Sequence, residues 1–254
     1  MDENPFTPPQ SDLEVEVQPT EGPLMPWEDR ASYPLLWDRT LETVKVLLRP
    51  SEAGARLGST GSILPSLTFL ALVGMPLAWI SQFAVGLYGS ARAMQDIFKL
   101  FGIPAPAAPN PSMEPLQRLM QVLPAVFFPI TMVISLAIWG LLVHGGLWLT
   151  RALQPGRGME ATFRTMIYSS SLMLLGSCLF NVWVFLPPLP GLIVLCVSTL
   201  LWVAFAFYQG ILLAKAHETQ VWRGILGLFA PWILFVCCCG GLVGVIAAII
   251  AATR

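Results

Sequence analysis

Four stretches of this chain, residues 65–91, 119–150, 165–214 and 224–253, carry no charged side chain. A bilayer's hydrocarbon layer is roughly 30 Å thick and a helix rises about 1.5 Å per residue, so some 20 apolar residues cross it. Each stretch is long enough, and 165–214 is long enough to cross twice. Charge is costly at the bilayer centre and free in aqueous loops, so the Asp, Glu, Lys and Arg residues gathered between the stretches draw the topology. The chain reads as a multi-pass membrane protein.

Composition agrees, with 55% hydrophobic residues, 11% charged and a mean hydropathy of +0.68. Soluble domains carry roughly 25% charged residues, so no sizeable aqueous domain is expected. The net charge of -1 conceals an acidic start: the first thirty residues hold Asp2, Glu3, Asp12, Glu14, Glu16, Glu21, Glu28 and Asp29 against Arg30 alone. No basic face is available to track phosphates, so nucleic acid is not an expected partner. Cys178, Cys196, Cys237, Cys238 and Cys239 all fall in predicted spans, where they act as small apolar residues rather than a disulfide framework. The start of the chain lacks the basic and apolar regions of a signal peptide, so the first span is expected to direct insertion.

Residues 1–32, with Pro5, Pro8, Pro9, Pro19, Pro23 and Pro26 among acids, predict a disordered cytosolic tail. Within 33–62, Leu36, Trp37, Thr40, Leu41, Val44, Leu47 and Leu48 recur at helical spacing, and Asp38, Arg39, Glu42, Lys45 and Arg49 take the other face until Pro50. That pattern predicts an amphipathic interfacial helix with Trp37, Leu41, Val44 and Leu48 toward lipid, against the competing reading of a helix packed under the bundle. Gly54 to Gly61 reads as a hinge. The remainder, 63–254, predicts five spans: 63–88, 121–149, 165–185, 191–214 and 224–252. Residues 91–101 form a further interfacial segment, 102–115 a loop, and Pro187-Pro188-Leu189-Pro190 a tight hairpin. The expected fold is all-α, a five-helix transmembrane bundle with an N-terminal amphipathic interfacial helix.

An odd span count puts the termini on opposite sides. Nine bases (Arg39, Lys45, Arg49, Arg56, Arg151, Arg157, Arg164, Lys215, Arg223) lie on the N-terminal side against four on the other (Arg92, Lys99, Arg118, Arg254). The positive-inside rule therefore predicts a cytoplasmic N-terminus and an outside C-terminus.

Polar side chains within the spans are the candidate functional residues: Gln82, His144, Tyr168, Asn181 and Gln209. No Asp, Glu, Lys or Arg sits at mid-depth, which argues against ion-coupled carriers, and no G-x-S-x-G or H-E-x-x-H supports hydrolysis. The three consecutive cysteines point about 100° apart on a helix and cannot converge on one metal. No catalytic, cofactor or metal site is expected. His144 reads as an interfacial histidine bonded to a neighbouring helix, and Asn181 and Gln209 as interhelical hydrogen-bond links. Gly240, Gly244 and Ala248 repeat every four residues and predict a close helix-packing face.

Leu47-Leu48-Arg49-Pro50, His144, Gly158, Phe163-Arg164-Thr165, Tyr168-Ser169, Gly210, His217 and Trp222-Arg223 together resemble the YIP family of Rab-associated multi-pass membrane proteins and its bacterial relatives. The similarity covers roughly residues 35–250 and rests on scattered positions. Relatives often carry a proline soon after the tyrosine, and this chain has none at Ser171 to Met173. Pro26-Trp27-Glu28-Asp29-Arg30 resembles a short motif of some bacterial members. The resemblance implies a five-helix scaffold with a cytosolic N-terminus and, for eukaryotic members, vesicle trafficking. The short acidic tail favours a bacterial cytoplasmic membrane, where no Rab partner is expected.

The expected function is a non-enzymatic membrane protein that organises the lipid bilayer or partner proteins, including a second copy of itself. The alternative is a transport or lipid-translocation module in which Gln82, Tyr168, Asn181 and Gln209 line a polar groove.

Overall fold

The computed structural model describes residues 23–59, 61–88, 90–104 and 114–252, and side-chain packing within these except at 88, 90–94, 114–115, 117–118, 121, 178–180 and 238–252. All regular structure among the described residues is helical. Two short helices, α1 (Leu36–Leu47) and α2 (Pro50–Leu57), precede α3 (Ile63–Phe69), which continues through a π-helical turn, Leu70–Gly74, into α4 (Met75–Tyr88). The chain proceeds through α5 (Ser90–Leu100), α6 (Glu114–Leu149), α7 (Met159–Phe180), a 3-10 turn at Val182–Phe185, α8 (Pro188–Ala216) and α9 (Val221–Ala252).

Four helical segments are long and apolar enough to cross a membrane: Ile63–Leu87, Val122–Leu149, Met159–Phe185 and Pro188–Ala216. In α6 and α8 only 17% and 11% of the apolar window is buried within the protein. Side chains such as Ile134, Ile138, Leu200, Leu201 and Val203 face outward, half or more exposed. A belt of that size cannot face water without cost, so the surrounding solvent is lipid. The fold defines a multi-pass helical membrane protein. α9 is a 32-residue helix, of which the stretch Val221–Cys237 is apolar.

α7 is the central helix, packed by α3, α4, α6 and α8 and by the short helices α1 and α2. Its stretch from Ala161 to Ser171 is buried at every position except Phe163. Threonine and serine fill that stretch because close helix packing favours small side chains, and their hydroxyls return to the preceding turn, as Thr165 does to Ala161 O and Ser171 to Ile167 O.

Prolines inside the spans free backbone carbonyls, which must find other donors in lipid. Pro129 leaves the Ala125 carbonyl without its helical N–H, and the Trp79 indole Nε1 of α4 donates to that oxygen at 2.8 Å. Pro231 of α9 frees the Gly227 carbonyl in the same way, and Gly146 of α6 lies so close to that oxygen that a Cβ would collide with it.

Four sequence expectations are corrected. Residues 23–32, assigned to the tail, are folded onto the bundle with Met25 and Trp27 buried; residues 1–22 lie outside the described residues. Pro50 does not only end α1 but starts α2 from its first position, where a missing N–H is harmless. Gly54 is a packing contact rather than a hinge, since a Cβ there would overlap the backbone of Lys215 at the end of α8. α7 begins six residues before the expected span at Thr165, so Arg164 belongs to a buried helix face and not to a loop. The Pro187-Pro188 hairpin forms as expected, with Pro188 opening α8.

Candidate functional site

The N-terminal residues form a clamp on the central helix. Pro26 favours the second position of a tight turn, and Met25-Pro26-Trp27-Glu28 closes one, with Glu28 N donating to Met25 O at 2.8 Å. The turn aims Trp27 and Glu28 inward. Trp27 Nε1 donates to Thr68 Oγ1 at 2.9 Å, and its ring meets Phe69 edge-on at 5.1 Å. Phe69 in turn lies against Tyr168 at 5.3 Å. Arg39 of α1 stacks its guanidinium 5.4 Å from the Trp27 ring centre.

Glu28 reaches the fully buried Arg164, whose Nη2 donates to both carboxylate oxygens at 2.9 and 2.8 Å. Tyr168 Oη donates to the same carboxylate at 3.1 Å. Arg164 Nη1 donates to Ser59 O at 2.7 Å, while its Nε has no partner. Both charges are desolvated, with side-chain exposures of 0% for Arg164 and 7% for Glu28. Removing either partner therefore leaves a buried charge uncompensated.

Beside the clamp, two histidines from distant segments meet through one hydroxyl. His144 Nδ1 of α6 and His217 Nε2, one residue past α8, each lie 2.9 Å from Thr162 Oγ1 of α7. The hydroxyl donates to one ring and accepts from the other. His217 is fully buried, and its Nδ1 has no partner. Burial first, then the nearby His144 and the Arg157 guanidinium, push the His217 imidazole down to about 4. It is neutral at physiological pH. Arg157 also ties this end together, donating to the Ala216 carbonyl and pairing with Glu218. Glu218 and Arg151 each adopt a left-handed backbone (φ 48° and 53°) that closes the ends of α8 and α6. Arg223 Nη1 donates to the Arg151 carbonyl at 3.2 Å.

The segments that charge counting assigned to one membrane side thus meet at one end of the bundle: residues 23–59, the 150–158 loop and the 217–220 turn. Several of their bases are structural. Arg157, Arg164 and Arg56, which donates to Leu24 O at 2.7 Å, hold backbone and carboxylate groups.

The intramembrane polar residues divide into two groups. Gln82, Asn181 and Gln209 line one cavity of about 390 Å³ together with Ser135, Ser170 and Trp202. Asn181 Nδ2 also donates to Ser81 Oγ at 2.7 Å, and Gln209 Nε2 to Ser169 Oγ at 2.8 Å, so both link helices. Gln82 and Phe128 also border a second space of about 330 Å³ toward Gly86 and Pro124. Tyr168 and His144 are elsewhere, in the clamp and the histidine bridge. Gly240, Gly244 and Ala248 are on the α9 backbone but outside the residues whose packing is described.

On α1 the apolar arc is split. Thr43, Val46 and Leu47 are buried, and Val44 is packed against the same core beside Met25 and Trp27. Tyr208 of α8 donates its hydroxyl to the Leu47 carbonyl. Leu36, Trp37, Leu41 and Leu48 remain exposed, Trp37 at 70%.

Glu28 and Arg164 entered the sequence reading only in the charge counts and as part of the family resemblance, without a role as partners, and Thr162 did not enter it. The available signal was the cluster Leu24-Met25-Pro26-Trp27, with three large apolar residues close together in an acidic, proline-rich tail.

No family model, curated protein or solved structure matches this chain.

Proposed function

We propose that this protein is a non-enzymatic membrane scaffold of five spans, with α9 as the fifth and residues 23–59 as a layer clamped to its cytoplasmic end. The observation that carries this reading is the divided face of α1. One half is buried on the bundle by Val46 and Leu47, and the other presents Leu36, Trp37, Leu41 and Leu48 outward. Tryptophan and leucine on a helix held beside lipid-facing spans suit the boundary between headgroups and acyl chains. The scaffold then holds an amphipathic surface against the cytosolic leaflet in a fixed register, through the clamp at Arg164.

Membership of the YIP family, in a bacterial cytoplasmic membrane, is part of the proposal. It draws support from the way the residues that carry the resemblance work together: His144 with His217, Arg164 and Tyr168 on one carboxylate, and Gly210 in close contact with Ile225. The partners are lipid and other membrane proteins or a second copy of the chain.

A transport reading draws on the cavity beside Gln82, Asn181 and Gln209. Tyr168, expected on the same wall, is committed to Glu28 instead, which shortens the polar track and favours the scaffold reading.

The test is genetic complementation with Trp37, Leu41 and Leu48 changed to Asp together, sparing Val44, which packs inward. Normal levels of stable protein with loss of the deletion phenotype's rescue are expected. Full rescue by the triple variant overturns the reading.

A further inference from the structure

The cavity between α4, α6, α7 and α8 has features that helix packing alone does not call for. Its volume of about 390 Å³ falls within the roughly 300–1,000 Å³ typical of small-molecule sites. From Ser170 to Asn181, the residue after α7, it runs along the helix for about 16 Å at helical rise and so about half of the hydrocarbon thickness. That half is the one away from the Glu28 clamp.

The lining is mostly apolar, interrupted by the uncharged polar side chains of Gln82, Ser135, Ser170, Ser177, Asn181 and Gln209. Gln82, Ser135 and Ser170 make no side-chain hydrogen bond to other described residues; Ser170 is 6% exposed, Gln82 is half-buried and Ser135 is exposed. Asn181 and Gln209 spend their amide nitrogens on Ser81 and Ser169, leaving their carbonyl oxygens free to accept. Unsatisfied polar groups at membrane depth cost free energy that water cannot relieve, so a partner for them is favoured. Between these groups stand Phe128, Met132, Trp139 and Trp202, an apolar wall suited to an acyl chain. Among the described residues no Asp, Glu, Lys or Arg borders the space, so a phosphate brought into it would meet no cation among them.

We propose that this cavity binds one uncharged lipid bearing hydroxyl or carbonyl groups, of which a diacylglycerol is the simplest case. One acyl chain lies along Met132, Trp139 and Trp202, and the hydroxyl and ester oxygens bond with Gln82, Ser170 and the Asn181 carbonyl. The site is independent of the scaffold reading, since it depends neither on α1 nor on the clamp.

The test is photolabelling of the purified full chain with a diazirine-bearing diacylglycerol, followed by peptide mapping. Labels are expected on α6 and α7 peptides, suppressed by unlabelled diacylglycerol and not by the same concentration of phosphatidylglycerol. Gln82→Leu, which removes a hydrogen-bonding group, and Ser170→Leu, which fills the space, are expected to lower labelling at least fivefold with the thermal transition retained. If Ser170→Leu fails to fold, Gln82→Leu and Ser135→Leu decide the matter. Labels spread over the outer faces of the spans, equal competition by phosphatidylglycerol, or labelling unchanged in the variants would each overturn the proposal, because they describe bulk lipid solvation.

Discussion

Glu28 and Arg164, 136 residues apart in the chain, form a buried ion pair in which one guanidinium nitrogen serves both carboxylate oxygens. Tyr168 adds a third hydrogen bond to that carboxylate, and Ser59 O takes a second guanidinium nitrogen. A lone charge here would face a heavy desolvation cost, so each residue depends on the other. The consequence is architectural: an N-terminal turn with few contacts of its own becomes part of the helical bundle.

Acid should loosen the end of the bundle where His217 sits. Its folded-state value of about 4 lies below the ordinary 6.5, so between those values the unfolded chain binds the extra proton. The stability it contributes is complete above pH 6.5 and is lost as pH falls toward 4, in total roughly 3 kcal/mol. Melting curves of the wild type and His217→Gln across that window give the check. The wild type is expected to fall more steeply, with Thr162 and His144 left in place in both.

Neighbouring glycines of α6 should respond in opposite ways. Gly146→Ala drives a Cβ into the Gly227 carbonyl, with Ala230 3.3 Å away, and is expected to cost about 1–3 kcal/mol. Gly145 has open space around it, so Gly145→Ala is expected to be neutral or to stabilise by up to about 1 kcal/mol through helix propensity. Thermal unfolding of the two variants in the same detergent compares them directly.

The five-span reading makes a topological prediction. Reporter fusions at the two ends of the chain should be active in opposite compartments, with the N-terminal fusion cytoplasmic. Both ends in one compartment would mean that α9 does not cross.

Four of the five expected spans were legible because the rule behind them is local: a charge at mid-bilayer is expensive whatever surrounds it, so absence of charge marks the helices. Pro187-Pro188 was legible for the same reason, since proline acts on its own backbone. The clamp was not. Its composition is that of the acidic tail, and only three side chains, Met25, Trp27 and Glu28, distinguish it by reaching a pocket made elsewhere. Gly54 could be read as flexible or as close-packed, and sequence does not separate the two; the backbone at Lys215 does. The apolar arc of α1 was visible, but its period does not tell which half meets protein and which meets lipid. His144 was singled out as bonded to another helix, and its route to His217 through Thr162 required the folded arrangement of three segments.

The central claim is that the N-terminal layer is held to α7 by Glu28 and Arg164, and a double-mutant cycle tests it most directly. Glu28→Gln and Arg164→Met are each expected to destabilise the full chain by roughly 3–5 kcal/mol, because each strands a buried partner. The double variant should lose far less than the sum, with a coupling of at least about 1.5 kcal/mol. Two single effects that add to within about 0.5 kcal/mol would show independent sites and contradict the clamp.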